Sequence, residues 1–413
     1  GEGGAAGVGP GEVGVDPGKA PVQAGAGVEL PRVGDRRVFK VLNRKDRFDK
    51  VKARVRFISD HALVYLDEDA PPGGFDDRDL EALAGEFEEP IRRVVTETFG
   101  TESDVDGNGR VIILFTPAVN RLSEEDADGF VGGYFYGLDL LPNRSGSNGG
   151  EIFYSIVPDP AGEEGPVIGR YTALTTVPAI LAHEFEHMVH FHQRMVVAGA
   201  DSHDALWLSE ALAQMAEDLV AQAFQETHRP MKAAQYRSGN RIRARRFLRN
   251  TSQVSVLASL PPGTLAERGA GWLFLKHVSG REGQDGLLRR LVSSRRSGTA
   301  SVTQATGLAW EDLVTNWAGS LFLDGTGVPV RTELQMAGVD LPSFLADFSG
   351  SYPLQPGDFG ARSSHVEILL WSSAPDYYII HPPEGGVALG VAGPGGGVPD
   401  AALGLRTLVV RLQ

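Results

Sequence analysis

The sequence predicts an α+β fold with a mixed-sheet N-terminal lobe, a mainly helical C-terminal lobe and a small C-terminal β module. Three observations support this prediction. Apolar and polar residues alternate over 51–57, and the apolar run 62–66 follows after a short polar break, as in paired strands. Residues 260–348 have mainly helical patterns. After Gly350 the pattern changes to short apolar runs separated by Gly and Pro turns.

Composition limits the classes of protein that this chain can represent. Its 413 residues, 42% of them hydrophobic, are enough for two or three packed units. The longest apolar runs are far shorter than the roughly 18 residues that would indicate a membrane span. The net charge of −14 argues against nucleic acid and anionic membranes as partners. The chain contains no cysteine, so disulfides and thiolate metal ligands are excluded.

Three segments are predicted along the chain. Residues 1–32 are rich in Gly, Pro, Ala and Val and contain no aromatic residue, which predicts a flexible leader. Residues 33–348 form the main domain, and residues 349–413 form the β module, with strand patterns at 366–371, 377–380 and 408–412. Within the main domain the patterns predict a helix over Asp76–Phe99 and buried strands at 111–115 and 152–157.

Two further helices carry the chemistry. The first is predicted over 175–194, with Thr175 or Thr176 as its N-cap and Pro178 in its first turn. It contains the pattern HExxH, in which His183 and His187 lie one helical turn apart on the same face. Both imidazoles can therefore bind one metal ion, with Glu184 beside it. The pattern also occurs by chance in unrelated chains, so a third ligand is needed to support the assignment.

Glu210 is the predicted third ligand. It lies on the second helix, predicted over 204–225, which can return along the first. His190 and Gln193 stand where a longer metal-binding motif needs Gly and His, so that motif is absent. Two histidines and one glutamate that leave a fourth position open are a catalytic zinc set. Gln214, Glu217 and Asp218 are the candidates to orient the zinc-binding histidines.

Residues 181–191 and 207–218 resemble the hyicolysin family of secreted bacterial neutral metallopeptidases, within the gluzincin group. Weaker similarity extends from about Gly34 to Asp324. The resemblance implies a zincin-like fold, export from the cell, and internal cleavage of protein or peptide substrates. In such an enzyme Glu184 accepts the proton of the attacking water. We also expect a monomer.

A calcium site is a second metal prediction. Asp104, Asp106 and Asn108 offer oxygen ligands at alternate positions, with Gly107 for a turn. Phe115 stands where an EF-hand needs glutamate, so the loop is not an EF-hand. A plain polar turn before the strand at 111 is the alternative. The acidic residues that could complete the site are Glu124, Glu125, Asp126 and Asp128.

Three other functions stay open from the sequence, one of which is a zinc hydrolase that acts on a substrate other than a peptide. A related zinc aminopeptidase would use Glu151 to bind the free amine of its substrate, and a catalytically silent binding protein would keep the scaffold alone. For an endopeptidase, residues 149–154 are the predicted edge strand beside which the substrate lies. The candidates for the group that stabilises the oxyanion are Arg268, Tyr236 and His228.

Overall fold

The computed structural model describes residues 30–412, except 125–129, 259–262, 282–285, 337, 347–350, 360–366, 383, 385, 387, 394–395 and 402–403. Most of the predicted leader, residues 1–29, lies outside the described residues, as do Glu125, Asp126 and Asp128. The described part of the chain divides into two compact units. The first comprises the described residues within 1–242, 259–263 and 288–301, and the second comprises those within 243–258, 264–287 and 302–413. The predicted boundaries at residues 33 and 348 stay predictions.

A six-stranded mixed sheet organises the first unit. Its strands are β1 Arg36–Leu42, β2 Phe48–Ile58, β3 Ala62–Asp67, β4 Val111–Phe115, β5 Gly133–Phe135 and β6 Ile152–Ser155. They lie in the order β1-β2-β3-β4-β6-β5. The first three strands are antiparallel, β3, β4 and β6 are parallel, and β5 returns antiparallel to β6 at the edge. Strands β4 and β6 are buried throughout, because helices must cover parallel strands on both faces.

Eleven helices occur among the described residues: α1 Asp77–Glu86, α2 Arg93–Phe99, α3 Pro117–Asn120, α4 Arg170–Phe191, α5 Leu206–Glu226, α6 Pro230–Leu248, α7 Leu265–Ser279, α8 Leu287–Val292, α9 Gly298–Thr306, α10 Trp310–Leu323 and α11 Leu341–Leu345. In the first unit α1 packs on β2 and β3, and α4 packs on β5 and β6. In the second unit Trp317 of α10 stacks on Phe247 with ring centroids 5.5 Å apart. None of these helices is long and apolar enough to cross a bilayer.

The predicted α+β class, mixed sheet and helical C-terminal region are confirmed, whereas several boundaries differ. The predicted helix Asp76–Phe99 is interrupted at Glu89, whose φ of −141° and ψ of 118° are extended. A proline at the next position, Pro90, disfavours helical angles in the residue before it and lacks an amide hydrogen. The interruption produces two helices, α1 and α2, joined by a wider turn.

The first metal-binding helix begins earlier than predicted. It starts at Arg170, with Gly169 in extended conformation at the N-cap. Thr175 is therefore inside the helix, where its hydroxyl donates to the carbonyl of Tyr171 (3.0 Å), and the prediction of a threonine cap is wrong. In the C-terminal segment the described strands are β7 Gly357–Phe359 and β8 Tyr378–Ile380, which pair in parallel. Residues 367–371 and 408–412 do not form the predicted strands, and residue 366 is not described.

Candidate metal centre

The three predicted metal ligands meet where α5 packs along α4. One nitrogen each of His183 and His187 and one carboxylate oxygen of Glu210 all lie within 4.8 Å of one another. His183 is 1% exposed and Glu210 is 7% exposed, so the group is largely shielded from water. The helical spacing places both imidazoles on one face of α4, and the packing of α5 brings the carboxylate to them.

Both histidines direct the same ring nitrogen toward the carboxylate. His183 Nε2 lies 3.4 Å from Glu210 Oε2, and His187 Nε2 lies 4.0 Å from Glu210 Oε1. The buried Nε2 of His183 has no hydrogen-bond partner among the described residues. Burying such a polar atom without a partner is costly, and a metal ion would supply one. Two imidazole nitrogens and one carboxylate oxygen are a donor set that suits zinc.

The other ring nitrogens have their own partners. His183 Nδ1 lies 2.7 Å from Glu217 Oε1, and both side chains are buried. His187 Nδ1 lies 3.3 Å from the hydroxyl of Ser209. Burial by itself would lower the pKa of His183, but Glu210 and Glu217 together raise that pKa to about 10. The site is therefore strongly negative, which favours a cation.

Of the three sequence candidates, Glu217 contacts His183, a candidate metal ligand. Asp218 instead pairs with Arg237 (3.2 Å), and the backbone carbonyl of Gln214 accepts from Asn240 (3.0 Å). Ser209 was missed by the sequence reasoning. Its position directly before Glu210 offers no signal, because only the crossing of the two helices decides which residues of α5 face His187.

A second buried polar layer lies beside the metal ligands. It contains Glu186 and His190 of α4, together with Asp204 before α5 and Arg194. His190 Nε2 is 3.6 Å from Asp204 Oδ2, and Asp204 accepts from the amide of Gly298 (2.7 Å). Burial raises the pKa of Glu186 to about 7. His190 therefore pairs with Asp204 rather than joining the three candidate ligands.

Glu184 lies between the metal ligands in sequence and contacts the edge of the sheet. Its carboxylate is 2% exposed, and Oε2 accepts from the amide of Phe135 in β5 (3.0 Å). The amide of Ile156 donates to the Gly132 carbonyl (3.2 Å), so the backbone N–H and C=O groups of residues 132 and 134 are directed toward β6. Gly133 and Phe135 direct their backbone groups to the opposite side, where Glu184 lies.

The edge strand is therefore β5, and the prediction that residues 149–154 form it is wrong. Residues 152–155 form β6, which pairs with β4 on one side and β5 on the other. Two glycines allow β5 to approach its neighbours closely. A Cβ on Gly132 would lie 2.1 Å from Ile180 Cδ1 of α4, and one on Gly133 would lie 2.8 Å from the Tyr154 carbonyl oxygen.

The three oxyanion candidates lie on different elements. The buried Tyr236 hydroxyl donates to Glu86 Oε1 (2.9 Å), and His228 lies in the exposed turn after α5 with a φ of 57°. Arg268 is a buried residue of α7, in the second unit. The placements of Tyr236 and His228 do not support a role beside Glu184.

A second cluster of acidic residues lies outside this centre. One carboxylate oxygen each of Asp104, Asp106 and Glu151 lies within 4.8 Å of the others. Asn108, the third predicted calcium ligand, donates from Nδ2 to Asp106 Oδ2 (2.6 Å) and accepts from the amide of Arg110 (2.6 Å). Glu151 was missed by the sequence reasoning for this cluster. Glu151 precedes β6, and the loop 101–110 precedes β4. Because these two strands are parallel neighbours, the residues before them lie side by side at the N-terminal ends of the strands.

Comparison with known proteins supports the chemistry of the metal centre. Residues 92–253, which include all three candidate ligands and Glu184, match the family described as Peptidase M30. The neutral metalloprotease ShpI of Staphylococcus hyicus is 27% identical over 194 residues, which are 46% of this chain and 41% of the relative. The chain thus matches less than half the length of that relative. These matches confirm the resemblance to the hyicolysin family and support a metallopeptidase.

Proposed function

We propose that this chain is a zinc-dependent endopeptidase with a zincin-like fold, in which His183, His187 and Glu210 hold the metal. The observation that carries this proposal is the convergence of two imidazole nitrogens and one carboxylate oxygen within 4.8 Å, beside a second glutamate. A metal site that served structure alone would not need that second glutamate. Its presence favours catalysis over a silent binding protein.

Glu184 acts as the general base. When bound, zinc lowers the pKa of a water ligand and polarises the carbonyl of the substrate. The amide of Phe135 holds one oxygen of the Glu184 carboxylate, which fixes the orientation of the group. Glu184 then accepts the proton of the attacking water and delivers it to the leaving amine. Glu217 and Ser209 orient the two histidines so that each directs Nε2 toward the metal.

The substrate binds in extended conformation beside β5. The amide and carbonyl of Gly133 and the carbonyl of Phe135 are directed away from β6, while the Phe135 amide is held by Glu184, and β5 is the last strand on this side of the sheet. An extended peptide can add to such an edge through main-chain hydrogen bonds, with the scissile bond next to Glu184. Strand addition needs no free chain terminus, so this arrangement suits cleavage within a chain.

The position of Glu151 argues against the aminopeptidase alternative. Glu151 would have to present its carboxylate to the free amine of a substrate. It is 1% exposed, and its Oε1 accepts from the Ser103 hydroxyl (2.5 Å) and the Val105 amide (3.0 Å). A buried carboxylate held by another loop is a poor receptor for a substrate amine, which favours the endopeptidase.

Digestion of a peptide mixture with free and acetylated N-termini tests the proposal. We expect one equivalent of zinc per chain and internal cuts in acetylated peptides. Glu184→Gln should retain zinc, while its rate of peptide cleavage should fall by about 10²–10⁴-fold. Stepwise removal of N-terminal residues, blocked by acetylation, would instead identify an aminopeptidase. A zinc-loaded parent that cleaves no peptide or casein would identify a binding protein.

We further propose that the chain acts on proteins or peptides, is exported from the cell and is a monomer. Export follows from the resemblance to a family of secreted enzymes and is tested by recovering casein-degrading activity from the medium of an expressing culture. Sedimentation of the purified chain tests the monomer.

A further inference from the structure

The cluster of Asp104, Asp106 and Glu151 shares no residue with the proposed zinc centre. It joins two segments that are distant in sequence. Asp104 and Asp106 lie in the loop between α2 and β4, and Glu151 immediately precedes β6. The amide of Ile112 in β4 donates to the Glu151 carbonyl (2.7 Å), so the sheet itself fixes the backbone on both sides of the cluster.

One oxygen of this cluster is buried without a partner. Glu151 is 1% exposed, and its Oε1 accepts two hydrogen bonds from the loop, from Ser103 and Val105. Its Oε2 has no hydrogen-bond partner among the described residues. A buried carboxylate oxygen that lacks a donor carries a large desolvation cost. A cation at the cluster would remove that cost.

The electrostatics of the three carboxylates also favour a cation. Burial raises the pKa of Glu151 to about 7, and the charge of Asp106 adds to the effect. Burial raises the pKa of Asp106 as well, although Arg37 and hydrogen bonds from Asn108 oppose this. Asp106 also approaches the backbone closely, since a Cβ on Gly150 would lie 3.0 Å from Asp106 Oδ2. Three carboxylates packed this tightly repel one another unless a positive charge lies between them.

We propose that Asp104, Asp106 and Glu151 bind a calcium ion that ties the loop before β4 to the start of β6. Carboxylate oxygens are hard ligands, and calcium accepts irregular sets of six to eight oxygens that include water and backbone carbonyls. Magnesium requires a near-ideal octahedron with shorter bonds, which a loop joined to a strand satisfies less readily. Asn108 holds Asp106 in place through its side-chain amide.

The site stabilises the part of the sheet that the active site uses. Strand β6 pairs with β5, and the amide of Phe135 in β5 holds Glu184. Calcium therefore supports the position of the substrate edge through β6, and its three ligands are separate from those proposed for zinc. Calcium binding and thermal stability report on this site independently of peptidase activity.

Calcium titration of the full-length, zinc-loaded chain tests the proposal. The protein is dialysed exhaustively against calcium-free buffer, its zinc content is verified, and calcium chloride or magnesium chloride is titrated by calorimetry. We expect one calcium ion per chain, weaker magnesium binding, and a melting temperature that rises with calcium concentration by mass action. Glu151→Gln and Asp104→Asn should each weaken calcium binding by at least about tenfold, since ligand charge sets affinity.

Matched variants separate binding from folding. Glu81→Gln changes an exposed carboxylate of α1 and should bind calcium as the parent does. In calcium-free buffer Glu151→Gln should melt at or above the parental temperature, because it removes a buried negative charge. Asp104→Asn alters an exposed side chain and provides a second folded variant. The proposal is overturned if the parent binds no calcium at millimolar concentration or binds magnesium more tightly than calcium. It is also overturned if Glu151→Gln and Asp104→Asn both bind calcium as tightly as the parent.

Discussion

Replacing Glu217 by glutamine would measure how much the orientation of His183 contributes to zinc binding. Glu217 Oε1 lies 2.7 Å from His183 Nδ1, with the two side chains 5% and 2% exposed. Glutamine has nearly the same shape and can still accept a hydrogen bond from the imidazole. The substitution therefore removes the negative charge while keeping the contact, and His183 should still direct Nε2 toward the metal.

The expected loss of zinc affinity follows from the negative charge on the group that accepts the hydrogen bond from His183. A buried hydrogen bond to a charged group contributes about 1.5–3 kcal/mol, and a neutral one contributes about 0.5–1.5 kcal/mol. The difference of about 1–1.5 kcal/mol corresponds to roughly 5–13-fold weaker zinc binding. This range overlaps the ~10–100-fold loss typical of groups that orient metal ligands. Glu217→Ala should lose more, because it leaves the imidazole nitrogen buried and unpaired.

Competition for zinc against a chromophoric chelator measures the change directly. Glu226→Gln is the matched control, because Glu226 lies on the same helix and is exposed. It should bind zinc as the parent does. If Glu217→Gln binds zinc within twofold of the parent, the carboxylate does not support the metal through His183.

Three further predictions follow from the same contacts. Glu210→Ala should lose most of its zinc in metal analysis, and full retention would exclude Glu210 as a ligand. Burial raises the pKa of Glu151 from 4.5 to about 7, so the unfolded chain releases this proton at lower pH than the folded protein does. The calcium-free protein should therefore lose stability as pH rises from about 4.5 to about 7. The loss, up to about 3 kcal/mol in urea unfolding, should be absent in Glu151→Gln; an identical pH profile would contradict it. Gly133→Ala forces a Cβ to 2.8 Å from the Tyr154 carbonyl oxygen and should lower the melting temperature and turnover, with zinc retained. Parental turnover would argue against β5 as the substrate edge.

The sequence determined the parts of the candidate site that depend on local geometry. His183, Glu184 and His187 lie within five residues, and helical periodicity alone places both histidines on one face. Glu210 could be proposed because a second helix follows after a short connection. The buried strands β4 and β6 were also predictable, since each is a short apolar run, and both are found close to the predicted positions.

Several contacts depend on residues far apart in sequence, and only the tertiary structure decided them. Residues 149–154 have the pattern of a strand, yet the sequence does not indicate that β5 pairs on their outer side and becomes the edge. Glu151 follows two glycines and has the pattern of a solvated loop residue, whereas the parallel pairing of β4 and β6 buries it against Asp106. Ser209 and Glu217 likewise face the histidines only because of the angle at which α5 packs on α4. Hydrophobic periodicity reports which face of an element is buried but not which element covers it, so partner choice and register emerge only when the whole chain packs.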